Sequence, residues 1–287
     1  MHKTRIKVVT VSTTNPEEET TKPELQQWIA SAETHGFDYE ILGVGVQWKG
    51  FVTKTSLVLD FLQKQPPREL VAVVDCWDLL WVRGPDAVQQ AFESYDAPVV
   101  VGSETRCGFN CTPSACKDHT HNPNGGFAMG TAAALQKMYA FILENSPEDD
   151  QVGMGMYRNA NCEEVALDVD CRLVVNVNAL SPYRRSIELD KGTRTLTFKP
   201  TNTRPCALHL PFQMSDFGLR YYFFRRFLTK NKHIYGTGYW TREFMKHCVK
   251  NYRNNSTLRR TTNAALTAIL STLVIVCAVL WMRRRPN

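Results

Sequence analysis

Two aspartates, Asp75 and Asp78, close an apolar run that opens Val71-Ala72-Val73-Val74. Four apolar residues in succession have the composition of a central strand buried on both faces. Such a strand carries no carboxylate in its interior, because an unpaired buried charge is strongly destabilising. Both aspartates therefore belong where the strand ends, at the sheet edge where α/β folds bind ligands. Two carboxylates on rigid backbone there suit a hard divalent cation that a substrate phosphate also grips. The plainer alternative is a strand end with acidic capping residues.

The elements that must position this pair are legible on both sides of it. Residues 6–12 concentrate the β-branched Ile6, Val8, Val9 and Val11, which predicts a first strand. Pro23 opens a helix that runs through Ala32 and ends at Gly36, and 39–42 reads as a second strand. Gly43, Gly45 and Gly50 surround Trp48 in a loop, and a helix with apolar Leu57, Leu59, Phe61 and Leu62 then runs to Pro66-Pro67. Beyond the strand ending at Asp75, Pro85 starts a helix over 86–94, and 98–102 is the next strand. This alternation predicts parallel βαβ units and a single open sheet. A long polar loop, about 103–124, follows, and Asn124-Gly125-Gly126-Phe127-Ala128-Met129-Gly130 leads into a helix over 131–144. Glu148-Asp149-Asp150-Gln151 stands at the start of another helix, and short strands are expected near 165–168 and 172–175. Lys191-Gly192 reads as the turn of a hairpin pairing 186–189 with 195–198. A last strand over 206–210 precedes a helix rich in aromatics, among them Tyr221, Tyr222, Phe223, Phe224 and Phe227.

Charge is unevenly spread. Of the 34 lysines and arginines, nine fall in 242–287 with the single acid Glu243, so residues 1–241 hold 25 basic against 27 acidic side chains. The net charge of +6 thus belongs to the tail, and the body has no electrostatic footprint for nucleic acid. From Ala264 to Met282 no residue is charged; 19 positions at ~1.5 Å each match a hydrocarbon core of about 30 Å. Arg259 and Arg260 precede this stretch, and Arg283, Arg284 and Arg285 follow it, which predicts a transmembrane helix. Basic flanks on both sides leave its orientation open. The N-terminal apolar run is too short and polar for a signal peptide, so a cytosol-facing body is expected, with an endomembrane lumen the alternative.

Nine cysteines are mostly scattered, but Cys107, Cys111 and Cys116 lie close together with His119 and His121 just beyond. Their spacing fits none of the usual paired zinc patterns, although zinc is conceivable. A loop disulfide requires an oxidising compartment, which the missing signal peptide argues against, as it does for the sequons at Asn110, Asn254 and Asn255. Two residues separate the aspartates, where phosphatases of the haloacid dehalogenase type have one. There is no phosphate loop ending in Lys-Ser/Thr after the first strand, no Gly-x-Ser-x-Gly and no His-Glu-x-x-His.

Seven segments then fall into a recognisable order. They are residues 8–14, residues 43–50 with Lys54, Asp75-Cys76-Trp77-Asp78, Gly102-Ser103-Glu104, Asn124-Gly125-Gly126-Phe127, Asp149-Asp150-Gln151 and Leu167-Asp168. In this order and spacing, over roughly residues 5–212, they resemble the N-terminal glycosyltransferase domain of the procollagen lysyl hydroxylase family. The resemblance implies a GT-A type fold, a UDP-sugar donor and Mn²⁺. It implies that Asp75 and Asp78 bind the metal with His209 as third ligand, and that Lys54 meets the diphosphate. Trp48, Trp77, Val11 and Thr13 would line the nucleotide site. Asn124, Gly125 and Gly126 would lie along the donor, the glycines letting a bulky sugar nucleotide approach the backbone. Asp149 and Asp150 match acids used for transfer, one of which would orient or deprotonate the acceptor hydroxyl.

Each of these residues also has a plainer reading. Trp48 suits packing, His209 a satisfied core histidine, Lys54 a surface charge, Gly125-Gly126 a turn, and the two acids a helix start. The resemblance departs after His209, where the family has Gly-Asn-Gly-Pro and this chain has Leu210-Pro211-Phe212.

The expected protein is an α/β chain with a GT-A type, Rossmann-like mixed sheet flanked by helices. Its glycosyltransferase domain covers 1–241, followed by a basic juxtamembrane linker over 242–263, a transmembrane helix over 264–282 and a basic tail over 283–287. Its expected activity is metal-dependent transfer of galactose or glucose from a UDP-sugar to a protein or glycan hydroxyl, hydroxylysine being the family's acceptor. One alternative is a degenerate, membrane-tethered protein that binds a sugar nucleotide or glycan. Another is a nucleotidyltransferase using the same metal logic.

Overall fold

The structure, a computed structural model, describes residues 6–17, 23–104, 114–116, 121–177, 186–189 and 195–211. The chain divides into two compact units, Met1–Thr237 and Gly238–Asn287, and everything described lies in the first. Its centre is a six-stranded mixed sheet. In chain order the strands are β1 (Lys7–Val11), β2 (Asp38–Leu42), β3 (Leu70–Val74), β5 (Val99–Glu104), β6 (Asn122–Thr131) and β7 (Val165–Asp168), and their spatial order is β2-β1-β3-β6-β5-β7. β1 pairs in parallel with β2 and β3, and β5 with β7, while β6 runs antiparallel between β3 and β5.

β3 is buried on both faces, as its composition requires. Ala72 and Val74 face one core, built with Leu25 and Trp28 of α1 (Pro23–Thr34) and Val88 and Phe92 of α3 (Pro85–Glu93). Val71 and Val73 face the other core. There Val58 and Leu62 of α2 (Phe51–Leu62), Leu135 and Met138 of α4 (Ala132–Asn145) and Met154 of α5 (Asp150–Ala160) pack together. The one-residue alternation of a strand thus divides four consecutive apolar residues between two helical layers.

Two features differ from the sequence reading. Residues 124–130, read as the approach to a helix, belong to the ten-residue strand β6. Gly125, Gly126 and Gly130 mask its β character, because glycine scores as a strand breaker unless something packs into the missing side-chain volume. The expected single sheet is also three. β4 (Leu79–Trp81), β11 (Ala207–His209) and β8 (Val174–Asn176) form a small sheet in the order β4-β11-β8, and β9 (Ile187–Leu189) pairs antiparallel with β10 (Leu196–Phe198), the pairing expected of 186–189 with 195–198. Leu80, Val175, Phe198, Leu208 and Leu210 make a third core beneath these strands.

Among the described residues no helix is long and apolar enough to cross a membrane. The span expected over 264–282, its flanks at 242–263 and 283–287, the aromatic helix near 221–227 and the 191–192 turn lie outside the described residues.

Candidate metal centre

The chain brings Asp75, Asp78 and His209 together through backbone pairing. β3 ends at Val74, and the amide of Asp75 donates to Gly126 O at 3.0 Å, holding the strand end against β6. Asp78 immediately precedes β4, and His209 pairs with Leu79 across the antiparallel β4–β11 ladder. Leu210 N then donates to Asp78 O at 2.8 Å. Three ligand atoms, one from each residue, thus lie within 4.8 Å of one another. His209 Nε2 is 3.2 Å from Asp78 Oδ1 and 4.0 Å from Asp75 Oδ2. The imidazole is buried at 2% exposure, whereas the Asp75 side chain retains 32%. One nitrogen and two carboxylates, open to solvent on one side, are a donor set suited to a divalent cation that keeps positions for other ligands. These residues fit the metal that the resemblance implies.

Beside the cluster stands a buried ion-pair system. Lys54 of α2 reaches Asp150 Oδ2 at 2.7 Å and Asp75 Oδ1 at 2.8 Å, and donates to Gly125 O at 3.0 Å. Burial alone would lower the Lys54 pKa, but the charges of Asp150 and Asp75 outweigh it and hold the ammonium well above its ordinary value. Burial pushes the Asp150 carboxyl up against the downward pull of Lys54. The structure therefore places Lys54 between two carboxylates, one of them a candidate metal ligand.

The two adjacent acids part company. Asp149 is the N-cap of α5, its Oδ1 accepting from Gln151 N and Val152 N at 3.1 Å each. Asp150, one residue into the helix, is buried and turned to Lys54. Around Asn124–Gly126 a polar network completes the wall. Asn124 Oδ1 accepts from Gly126 N at 3.0 Å, and Gln151 Oε1 accepts from Gly125 N at 3.2 Å. Glu104 receives Gln151 Nε2 at 3.2 Å and Asn124 Nδ2 at 3.4 Å. The sequence reading assigned no role to Glu104; its signal was a lone acid at the end of an apolar strand. Asp168 is not brought to the cluster. Buried whole, it accepts from the Tyr95 hydroxyl and from the amides of Arg172, Leu173 and Val174 at 2.7, 2.9 and 2.6 Å.

The expected nucleotide-lining residues fall into two groups. Trp48 is 48% exposed and meets Phe51 edge-on at 6.2 Å between ring centroids, with Val44 and Val46 also exposed. Its loop is turned by Gly43, Gly45 and Gly50, all at positive φ (84°, 78° and 96°), and is tied to the segment just after β1 by Gly45 N donating to Thr13 O at 3.2 Å. Thr13 is half-buried. Val11, by contrast, lies in the core on the α2 side, and Trp77 is half-buried against the core on the α1 side.

Of the three clustered cysteines only Cys116 is among the described residues. Cys116 forms a disulfide with Cys162, just beyond α5 and outside the cluster, and so is not a zinc ligand. Cys116 Sγ lies 3.4 Å from Arg158 O, and Arg158 donates to Ser114 Oγ at 2.9 Å, which fixes this stretch of the 103–124 loop on α5. Cys107, Cys111, His119 and the sequons at Asn110, Asn254 and Asn255 lie outside the described residues.

With this geometry in view, the comparisons with known proteins define the class as a glycosyltransferase domain. Residues 2–215 match the family described as "PLOD GT domain", and the chain belongs to that family. Among solved structures, one similar fold is a glycosyltransferase involved in the glycosylation of the major capsid of PBCV-1. It has 8% identity and a TM-score of 0.46, covering 80% of this chain and 98% of that one. Another is 4-diphosphocytidyl-2C-methyl-D-erythritol synthase from Anaerococcus prevotii DSM 20548, at 10% identity and a TM-score of 0.35, covering 57% and 86%. No curated protein matches the chain.

Proposed function

We propose that this chain is a metal-dependent hexosyltransferase of GT-A type that moves galactose or glucose from a UDP-sugar to an acceptor hydroxyl of hydroxylysine type. The observation that carries this reading is the convergence of Asp75, Asp78 and His209 within 4.8 Å, directly beside the Lys54–Asp150 pair. Asp75, Asp78 and His209 would hold Mn²⁺, whose charge would neutralise the diphosphate and stabilise UDP as the leaving group. The remaining steps fall to the chain's own side chains. Lys54 fixes the direction of the Asp150 carboxylate and offsets its charge. Asp150 orients the acceptor hydroxyl and takes its proton. Trp48, paired with Phe51 on an exposed loop, offers an aromatic face to the uracil. Gly125 and Gly126 give up their side-chain volume to the Asp150 carboxylate and the His209 ring, so that both groups stand close against β6 beside the donor. The apolar stretch 264–282 anchors the domain to a membrane in this reading. The Cys116–Cys162 bridge favours an oxidising compartment over the cytosol expected from the N-terminus.

Leu210 favours a second reading. It stands where the family has glycine, buried and bonded to Asp78 O, so the chain at this point is committed to the small sheet's core. A domain altered there could bind a sugar nucleotide without turning it over. The purified full-length chain, given UDP-galactose or UDP-glucose with and without Mn²⁺, separates the possibilities. A hexosyltransferase, passing the sugar to water in the absence of its acceptor, predicts slow Mn²⁺-dependent release of UDP and free hexose that Asp75→Ala and Asp78→Ala abolish. UDP binding with no release supports the binding protein, and release of pyrophosphate from UTP and a hexose 1-phosphate, supplied in place of the UDP-sugar, supports a nucleotidyltransferase.

A further inference from the structure

We propose that Asn176 is the positioning residue of the metal centre: it locks His209 in the Nδ1–H tautomer and so turns the Nε2 lone pair toward Asp75 and Asp78. The inference rests on reading these three residues as a metal site. Asn176 is the register partner of His209 across the parallel β8–β11 ladder, so the two side chains stand side by side on one face of the small sheet. His209 Nδ1 lies 2.6 Å from Asn176 Oδ1, with both residues buried.

The orientation of the carboxamide follows from its other end. Asn176 Nδ2 donates to the Ser103 carbonyl at 2.8 Å. Rotating the amide by half a turn would set its oxygen against that carbonyl, two acceptors in contact, and would leave the Nδ2 hydrogens without an acceptor there. The amide oxygen therefore faces His209, and an oxygen can only accept, so Nδ1 carries the proton. In the neutral ring, the form that binds a metal, the other nitrogen then presents a lone pair to Asp78 Oδ1 at 3.2 Å and Asp75 Oδ2 at 4.0 Å. Three acceptors face one another, an arrangement that a cation between them relieves.

Neighbouring residues support the amide. A Cβ on Gly102 would lie 3.2 Å from Asn176 Nδ2, so the bare backbone of β5 gives the amide its room. The β5–β6 register shifts between Val101 and Gly102, immediately before the carbonyl that receives the amide. Ser103 is itself tied down, its hydroxyl donating to Asp168 O at 2.8 Å. The device thus runs from β5 through Asn176 to the imidazole, and acts on the metal only through His209.

The test needs no sugar donor. In the metal-free full-length chain labelled with ¹⁵N-histidine, the His209 signals are those lost in His209→Gln. At mildly alkaline pH they should show a protonated Nδ1 and a bare Nε2. Mn²⁺ titrated alone should bind Asn176→Leu about 10–100-fold more weakly than wild type. Asn176→Asp, which still accepts from Nδ1, should keep both the tautomer and the affinity while losing stability, because its second oxygen faces the Ser103 carbonyl. A merely structural Asn176 would lower the melting temperature of both variants and leave the tautomer and the Mn²⁺ affinity alone. An Nε2–H tautomer in wild type overturns the proposal. So does wild-type Mn²⁺ affinity in folded Asn176→Leu, or binding by Asn176→Asp as weak as the leucine variant is expected to show. Should Asn176→Leu not fold, the wild-type tautomer and the aspartate variant decide. Failure of the hexosyltransferase reading would appear elsewhere, as wild-type protein that binds Mn²⁺ and releases no UDP.

Discussion

Gly126 and His209 share one volume: a Cβ built on Gly126 would stand 2.1 Å from His209 Cε1 and 2.5 Å from Nε2. The imidazole fills the space any other residue would use, so Gly126→Ala must move either the ring or strand β6. We expect a stability loss of about 1–3 kcal/mol, typical of overpacking, together with at least a tenfold loss of Mn²⁺ affinity. Urea denaturation and metal titration check both. Wild-type values in each would mean that the ring swings aside freely and that its position does not matter.

Asp149 and Asp150 should separate cleanly on mutation. Asp149→Ala removes a helix cap, with an expected cost of about 1 kcal/mol and transfer close to wild type. Asp150→Asn should leave the fold in place and slow transfer by roughly 10²–10⁴-fold, the usual weight of a general base. Measured rates in the reverse order would exchange the roles assigned to the two acids.

Lys54 gives a pH signature. Lys54→Met strands two carboxylates beside each other, one of them buried, at an expected cost of about 3–5 kcal/mol near neutral pH. In wild type the Lys54 pKa is raised above 10.5, so its contribution is complete below that value and is lost only as pH rises through the folded pKa. In the variant the Asp150 carboxyl, already raised from 3.8 by burial, loses the pull that opposed this shift and rises further. The folded chain then holds a proton that the unfolded chain releases, so stability falls as pH climbs through that pKa. The deficit relative to wild type should therefore be small in acid and grow toward neutrality. Denaturation midpoints across that range test it, and a deficit that does not change with pH would sink the argument.

The Cys116–Cys162 bridge spans 46 residues. Closing a loop of that size is worth about 4 kcal/mol on the chain-entropy estimate. Cys162→Ser should lower the melting temperature accordingly, and wild-type protein made in an oxidising compartment should resist alkylation at both positions until reduced. Free thiols at both positions in such protein would contradict the bridge.

How much of this was visible in the sequence depended on whether a residue's role was local. β1 and β3 announced themselves through β-branched and apolar runs, and Asp75 and Asp78 through their place after one. β6 hid behind three glycines whose missing side chains matter only because Asp150, His209 and the start of β5 occupy the space. β4, three residues long, was absorbed into the apolar run that contains it. His209 entered the site reading only through family resemblance, since its flanking leucines are those of an ordinary core strand. Asn176 gave no usable signal, because it acts through cross-strand register and no local pattern encodes that register. Asp149 and Asp150 are chemically identical neighbours, and only the phase of α5 decides which caps and which enters.

The antiparallel pairing of β4 with β11 has a consequence for synthesis. Asp78 and His209 are 131 residues apart in sequence, and the strand that carries the histidine is the last of those described. During translation the large sheet can gather its strands while the centre still lacks its nitrogen ligand. Only when residue 209 has left the ribosome can β11 slot between β4 and β8 and bring the imidazole to the aspartates. A chain that ends at about residue 200 should therefore lack the nitrogen ligand and bind a divalent cation weakly, so on the metal-centre reading loading waits for the last described strand to pair.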